Sequence, residues 1–576
     1  CIDDTVSVFT SMDAGDDPTW EQAMKSNDRP HWLDAKDTEM RNLDDYGVRQ
    51  LIACDKVPVE ADIYGTKLLC KHKRGKMGVH DKWKVRCVML GNQLNAAEAR
   101  RRKRATTGDA AGSFVELRVT APTLRHSSFK CSAAVGVCKG MRRRTFDVSA
   151  AYLQGTQITR TVYVRAPPEC REYDERGVEY VWLLLRPLYG EPDAGRVWYN
   201  TFAHHMIETE GWHRSDYDSC IFTKVFDNGS EMFLDLYVDD GCTWDNDAQE
   251  AGAFYERLTV AFSITHTDGG FYLGMAILQT DNRFITLTSE TYIKGLCARE
   301  LPKPISAYTR QWATPGGNKL MEHYEDAFML HETPPAALGT RYRSIVGGMA
   351  WVGPTTRPDV LHRIGILARA YTFATEDLLE DALETLVYLG QTAQMGISFS
   401  ANAPDATTTR WASDSDWAVR RSTTGTCGML AGGAIHCSSR RQDCTAGSTT
   451  EAEIIAASSA ANEVVHFRGL LFDLRLEQLK PTVLDIDNSS CINIAEDYGS
   501  SSRTRHIARR HMRVREFVHR GILHTNLVPS AENISDFFTK VLEKAIFQKH
   551  RRVVMNLVAR SLGKVGQTMS AYAGRG

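Results

Sequence analysis

The chain has 576 residues, too many for one ordinary core, so two to four domains are expected. Hydrophobic residues make up 43% and charged residues 24%, which excludes a disordered polyelectrolyte, and no run of about 18 apolar residues marks a membrane span. The 14 cysteines are scattered without a CxxC pair, so no structural zinc cage is expected and reduced intracellular thiols are the default.

Residue 1 is Cys, with neither an initiating Met nor a signal peptide, and a processed or excerpted piece of a longer chain is expected. The net charge of −2 hides an uneven distribution. Basic clusters stand at "KHKRGK" (71–76), "RRRKR" (100–104), "RRR" (142–144), "RTRHIARRHMRVR" (503–515) and "KHRR" (549–552). One such cluster is a solvated face; several interleaved with aromatics suit a phosphate track.

In chain order, residues 1–30 are polar and acidic and read as a flexible arm. "HWLDAKDTEMRNLDDYG" (31–47) spaces Trp32, Ala35, Met40 and Leu43 as a helix stopped at Gly47. "VRCVML" (85–90) is a strand, and 91–113 carries no apolar period and reads as a loop. "RRRTFDVSAAYLQG" (142–155) is a strand entering a turn or helix, and "TVYVRAPPE" (161–169) a strand stopped by Pro-Pro. Residues 194–212 form a helix ending near Gly211, and 220–240 a hairpin about an Asp-Asn-Gly turn. "FYLGMAIL" (271–278) is a further strand, helices dominate 288–395, 401–409 is a linker, and a mixed pattern runs from Trp411 to about Leu542.

"LDLYVDDG" (234–241) ends an alternating strand in adjacent carboxylates, with Gly241 supplying a turn. Such a pair is either ordinary turn chemistry or a cation site, since side-by-side carboxylates repel unless a cation lies between them. Asp147 in "FDVSAAYLQG" supplies a third carboxylate. Taken in order, "DVSAAYLQG", "VYV.AP", "LYG....GRVWY", "YVDD" and "FYLG" resemble the reverse transcriptase of copia-type LTR retrotransposons. The resemblance continues through "YRSIVGGMAWVGPTTRPDV" (342–360), "SDSDWAVRRSTTG" (413–425), "SSRRQDCTAGSTTEAEIIAAS" (438–458), "DIDNSS" (485–490), "RTRHIARRHMRVREFV" (503–518) and "SAENISDFFTK" (530–540). It covers most of residues 30–545.

The resemblance implies an α+β polymerase right hand, with fingers, an antiparallel palm sheet and a thumb, followed by an α/β RNase H-like domain. Its boundaries are expected at 31–275 for fingers and palm, 276–405 for thumb and connecting segment, 406–545 for the nuclease domain and 546–576 for a tail. Asp147, Asp239 and Asp240 take the polymerase carboxylate positions, and Asp414, Glu453, Asp487 and Asp536 those of the nuclease. Two Mg²⁺ or Mn²⁺ ions per centre are implied, a hard-cation chemistry suited to oxygen ligands. Glu451 competes with Glu453, which is preferred because "EIIA" fits the nuclease pattern. Arg86 and Lys84 are expected at the triphosphate. Tyr152 is either a gate beneath the sugar or simple core packing. Arg503, Arg505, Arg509 and Arg510 are expected on the phosphates of an RNA–DNA hybrid, and His506 and His511 are not assigned catalysis.

The implied partners are an RNA template, a DNA primer, the hybrid and deoxynucleoside triphosphates, with integrase and protease on the same polyprotein and no membrane. Cytoplasmic virus-like particles with a nuclear phase are the expected location. One departure matters: the family's "LYGLKQA" is "LYGEPDA" here, and Glu191 and Asp193 are expected to put negative charge near template or nucleotide. The competing expectation is a degenerate remnant that only binds nucleic acid or keeps nuclease activity alone.

Overall fold

The computed structural model describes residues 17–73, 82–94, 119–158, 160–267, 270–416, 421–497 and 512–557. It divides into one unit of 1–123, 147–212 and 255–265 and a second of 124–146, 213–254 and 266–576. Among the described residues no helix is long and apolar enough to cross a membrane.

The first unit holds a sheet in the order Arg49–Ala53, Tyr180–Leu184, Tyr163–Arg165, Ile63–Lys73, Lys82–Met89. The helix expected over 31–47 spans Arg29–Asp45, and Gly47 at φ +60° ends it in the left-handed region that glycine enters freely. Its Trp32 and Leu43 are buried with Val85, Cys87, Trp182 and Leu188. The flexible arm read over 1–30 is corrected from residue 20 onward. Trp20–Lys25 is a helix closed by a Thr19/Gln22 capping box, and its Ala23 is buried.

In the second unit Asp240–Asp245, Glu231–Tyr237, Ile221–Val225 and His213–Arg214 lie side by side in that order, with residues 142–146 of the Arg142–Val148 strand beside the first of them. The 220–240 hairpin forms as expected, with Val225 paired to Glu231 across the Asp-Asn-Gly turn. "FYLGMAIL" is not one strand but two, Phe271–Tyr272 and Met275–Asp281, turned at Leu273 and Gly274, both at positive φ. Five helices between Glu290 and Gln391 share an apolar core with Phe537, Phe538 and Phe547. The "TTRPDV" motif is internal to it: fully buried Arg357 donates to Asp359 at 2.8 Å, and Tyr388 OH donates to the same carboxylate at 2.5 Å.

The last sheet runs Gly433–Arg441, Thr423–Leu430, Arg410–Ser415, Thr482–Ile486, Leu523–Leu527. Its first three strands are antiparallel and the last two join in parallel, with the Thr449–Asp473 helix packed on it. The antiparallel palm-type sheet and this mixed α/β sheet are the expected polymerase and RNase H-like folds. The expected tail boundary at 546 cuts a helix, Lys544–Val554, whose Phe547 and Val554 are buried.

Candidate active sites

The Asp239–Asp240 pair sits where the Glu231–Tyr237 and Asp240–Asp245 strands meet, with Asp240 opposite Tyr237. Val238 and Asp239 therefore form a two-residue turn, and Val238 stands at φ +57°, strained for a β-branched residue. Gly241 is not the turn that was expected. It lies in the strand opposite Leu236, and glycine is needed there because a Cβ would fall 2.1 Å from Cζ of Phe146. Burial raises the Tyr237 hydroxyl pKa, and the Asp240 and Asp239 carboxylates raise it further. Asp147 follows Phe146 in its strand and falls in the first unit.

Also in the first unit, the Arg86 guanidinium lies 5.0 Å over the Tyr189 ring. The Tyr152 ring is 5.7 Å from the same Tyr189. Arg86 and Tyr152 are thus joined through a residue that was read only as part of "LYG". Lys84 pairs with Lys71 across the strands, and with Arg86 it draws down the Glu39 carboxyl that burial pushes up.

Glu191 and Asp193 correct the expectation attached to them. Both are buried, and Arg160 holds them, donating to Glu191 Oε1 at 2.9 Å and to Asp193 Oδ1 at 2.7 Å. The Leu188 N–H donates to Glu191 Oε2 at 2.8 Å. These carboxylates close an internal ion pair and present no charge to a ligand.

The four carboxylates expected at a nuclease centre lie entirely in the second unit. Asp414 is in the Arg410–Ser415 strand, Glu453 on the Thr449–Asp473 helix, and Asp487 directly after the Thr482–Ile486 strand. Asp414, Glu453 and Asp487 bring one oxygen each within 4.8 Å of one another. Glu451 turns the other way: its Oε2 accepts from the Gly447 N–H at 2.7 Å, at the start of the helix. Two residues along a helix is about 200°, so only one of the two glutamates can reach this cluster.

Asp536 lies in the Ile534–Phe538 turn, outside that trio, and shares Lys540 with Asp414. Gly425 admits this turn, since a Cβ there would fall 2.8 Å from the Ser535 carbonyl oxygen. Asn533 Nδ2 donates to the Ser413 carbonyl at 3.0 Å and Ser439 Oγ to the Phe538 carbonyl at 2.6 Å, fixing it further.

The electrostatics follow from burial. Glu453 is 6% exposed, and its pKa is raised to about 8 by burial and then by Asp414 and Asp487. Asp414 is raised to about 6 by burial, against the pull of Lys540. Glu453 Oε1 accepts from the Ser415 N–H at 3.3 Å, and the Ser415 side chain also lowers the carboxyl's pKa, whereas among the described residues the buried Oε2 has no hydrogen-bond partner within 3.5 Å. Leaving such an oxygen buried and unpaired is costly, and an oxygen-seeking divalent cation at the trio would satisfy it. The donor set fits Mg²⁺ or Mn²⁺. Arg503, Arg505, Arg509 and Arg510, with His506 and His511, lie outside the described residues.

Residues 52–301 match the reverse transcriptase (RNA-dependent DNA polymerase) family. Over 446 residues the chain is 27% identical to a retrovirus-related Pol polyprotein from transposon TNT 1-94 of Nicotiana tabacum, covering 76% of this chain and 32% of the relative. It is also 27% identical to that from transposon RE2 of Arabidopsis thaliana, covering 95% of this chain and 35% of the relative. Among solved structures, a foamy viral protease-reverse transcriptase in complex with dsDNA aligns at a TM-score of 0.41 and 12% identity, over 86% of this chain and 83% of that one. The chain thus carries a domain of the reverse transcriptase family. Over most of its length it is similar to Pol polyproteins of copia-type LTR retrotransposons, and it spans about a third of the length of these curated relatives.

Proposed function

We propose that this chain is an RNA-directed DNA polymerase with a linked ribonuclease H, copying retrotransposon RNA into DNA and degrading the RNA of the resulting hybrid. The observation that carries the nuclease half is the Asp414–Glu453–Asp487 trio, with Asp414 and Glu453 buried and one Glu453 oxygen without a hydrogen-bond partner among the described residues. The polymerase half rests on the family match over 52–301, which contains Asp147, Asp239, Asp240, Arg86, Lys84 and Tyr152.

Bound at each centre, a pair of Mg²⁺ or Mn²⁺ ions would activate the attacking oxygen and stabilise the leaving one. Asp147, Asp239 and Asp240 would hold them for strand extension, and Asp414, Glu453, Asp487 and Asp536 for hydrolysis. Arg86, kept in place by Tyr189, binds the triphosphate, and Lys84 adds charge beside it. Arg503, Arg505, Arg509 and Arg510 grip the hybrid's phosphates. RNA template, DNA primer and deoxynucleoside triphosphates are the substrates; integrase and protease share the polyprotein; and virus-like particles in the cytoplasm, with a nuclear phase, are the setting. The internal pairing of Glu191 and Asp193 with Arg160 removes the main reason for reading the chain as a degenerate remnant.

Primer extension on an RNA template, with hybrid degradation scored in the same reaction, tests this. Asp239→Asn should lower extension on the order of 10²–10³-fold and spare hybrid cleavage, and Asp414→Asn should do the reverse. A folded variant that loses both activities would show that the two centres are not separate.

A further inference from the structure

Lys540 is not one of the four nuclease carboxylates, yet it sits among them. Its Nζ is 2.7 Å from Asp536 Oδ1 and 3.3 Å from Asp414 Oδ1. The other Asp414 oxygen accepts from Thr539 Oγ1. The centre therefore has two unlike positions. One lies among Asp414, Glu453 and Asp487, where the buried Glu453 Oε2 has no hydrogen-bond partner among the described residues. The other lies between Asp414 and Asp536, and there an ammonium already supplies the positive charge.

That ammonium is held on one side only. The Asp414 side chain is 1% exposed, whereas that of Lys540 is 39% exposed and carried on a flexible four-carbon stem. It can leave for solvent without disturbing the strand beneath. Charge decides when it does. Four carboxylates, one divalent ion and the ammonium sum to −1. A second divalent ion brings this to +1 with Lys540 in place and to zero without it. A cation sharing the same two oxygens as the ammonium would repel it.

We propose that Lys540 is a positioning residue that holds Asp414 and Asp536 together until a divalent ion displaces it. The ions then bind in order, the first at the trio and the second only as Lys540 swings out. This rests on the two-ion reading of the nuclease centre. The test is Mn²⁺ binding to the full chain, with bound ions counted by electron paramagnetic resonance and affinities read by calorimetry. The wild type should bind at the nuclease centre in a tighter and a weaker step, identified by their loss in Asp414→Asn. Lys540→Met should tighten the weaker step by about tenfold, and Lys540→Arg should restore the gap. In the wild type, acylation of the Lys540 amine, read by peptide mapping, should rise on saturation with Mn²⁺, a readout that needs no variant to fold. An unchanged or weakened second step in Lys540→Met, or acylation that stays level or falls, overturns the proposal. If the wild type binds no Mn²⁺ that Asp414→Asn abolishes, it is the two-ion reading that fails, and the proposal with it.

Discussion

Arg160 donates to Oε1 of Glu191 at 2.9 Å, and the Glu191 carboxylate is wholly withdrawn from solvent while the arginine keeps a quarter of its side chain exposed. Burial pushes the Glu191 pKa up, and the Arg160 charge and the Leu188 N–H pull it back. Removing one member of such a pair strands the other. Glu191→Leu should therefore cost roughly 3 kcal/mol in chemical denaturation, the low end for a broken buried pair because Arg160 retains some water. Template–primer affinity in the folded variant should not change across a salt series. Tighter binding without loss of stability would put Glu191 at the nucleic acid after all.

The proposed nuclease centre should respond to pH with opposite signs in the absence and presence of metal. The folded-state pKa of Glu453, about 8, lies above the ordinary carboxyl value. Its folded form then binds more protons than the unfolded one from about pH 4.5 to 8, so stability in EDTA falls as pH rises through that window. Divalent ions need the ionised carboxylates, with Asp414 at about 6 and Glu453 at about 8, so their affinity should climb by up to about tenfold per pH unit between roughly pH 6 and 8. Melting curves in EDTA and in Mg²⁺ across this range check both signs. Glu453→Gln should flatten the EDTA slope; an unchanged slope would assign it to other groups.

Tyr152 is half-buried against the first unit's core, its ring beside the Tyr189 that Arg86 covers. If it lies beneath an incoming sugar, Tyr152→Val should cut discrimination against ribonucleotides by about ten- to a hundredfold while lowering deoxyribonucleotide use less. The measurement is the ratio of kcat/KM for the two sugars. An equal fall for both would mean that the ring only packs.

What could be read without coordinates was whatever depends on neighbours in the chain. The 31–47 helix shows its apolar spacing, and the Asp227–Gly229 turn its Asn-Gly signal. Contacts between distant residues left no such trace. Gly241 looks like a turn residue until Phe146 is found against it. Glu191 looks exposed until Arg160, 31 residues earlier, is found beneath it. Asp235 alternates as though on a wetted face, yet it is fully buried, accepting from Ser132 Oγ at 2.8 Å and Trp244 Nε1 at 2.9 Å. Motif order alone points to Asp414, Glu453, Asp487 and Asp536. That three converge while Asp536 shares a lysine with Asp414 depends on how a strand, a helix and a turn pack.

The position of Asp536 in the chain also sets a timetable. The hairpin bearing Asp239 and Asp240 leaves the ribosome roughly 300 residues before the Ile534–Phe538 turn, an interval of about 15–60 s at ordinary rates of synthesis. Throughout that interval the nascent chain lacks Asp536 and the lysine beside it. A chain ending anywhere in that stretch would carry Asp239 and Asp240 but lack Asp536, Lys540 and the Phe537 and Phe538 that pack into the core of the helices between Glu290 and Gln391.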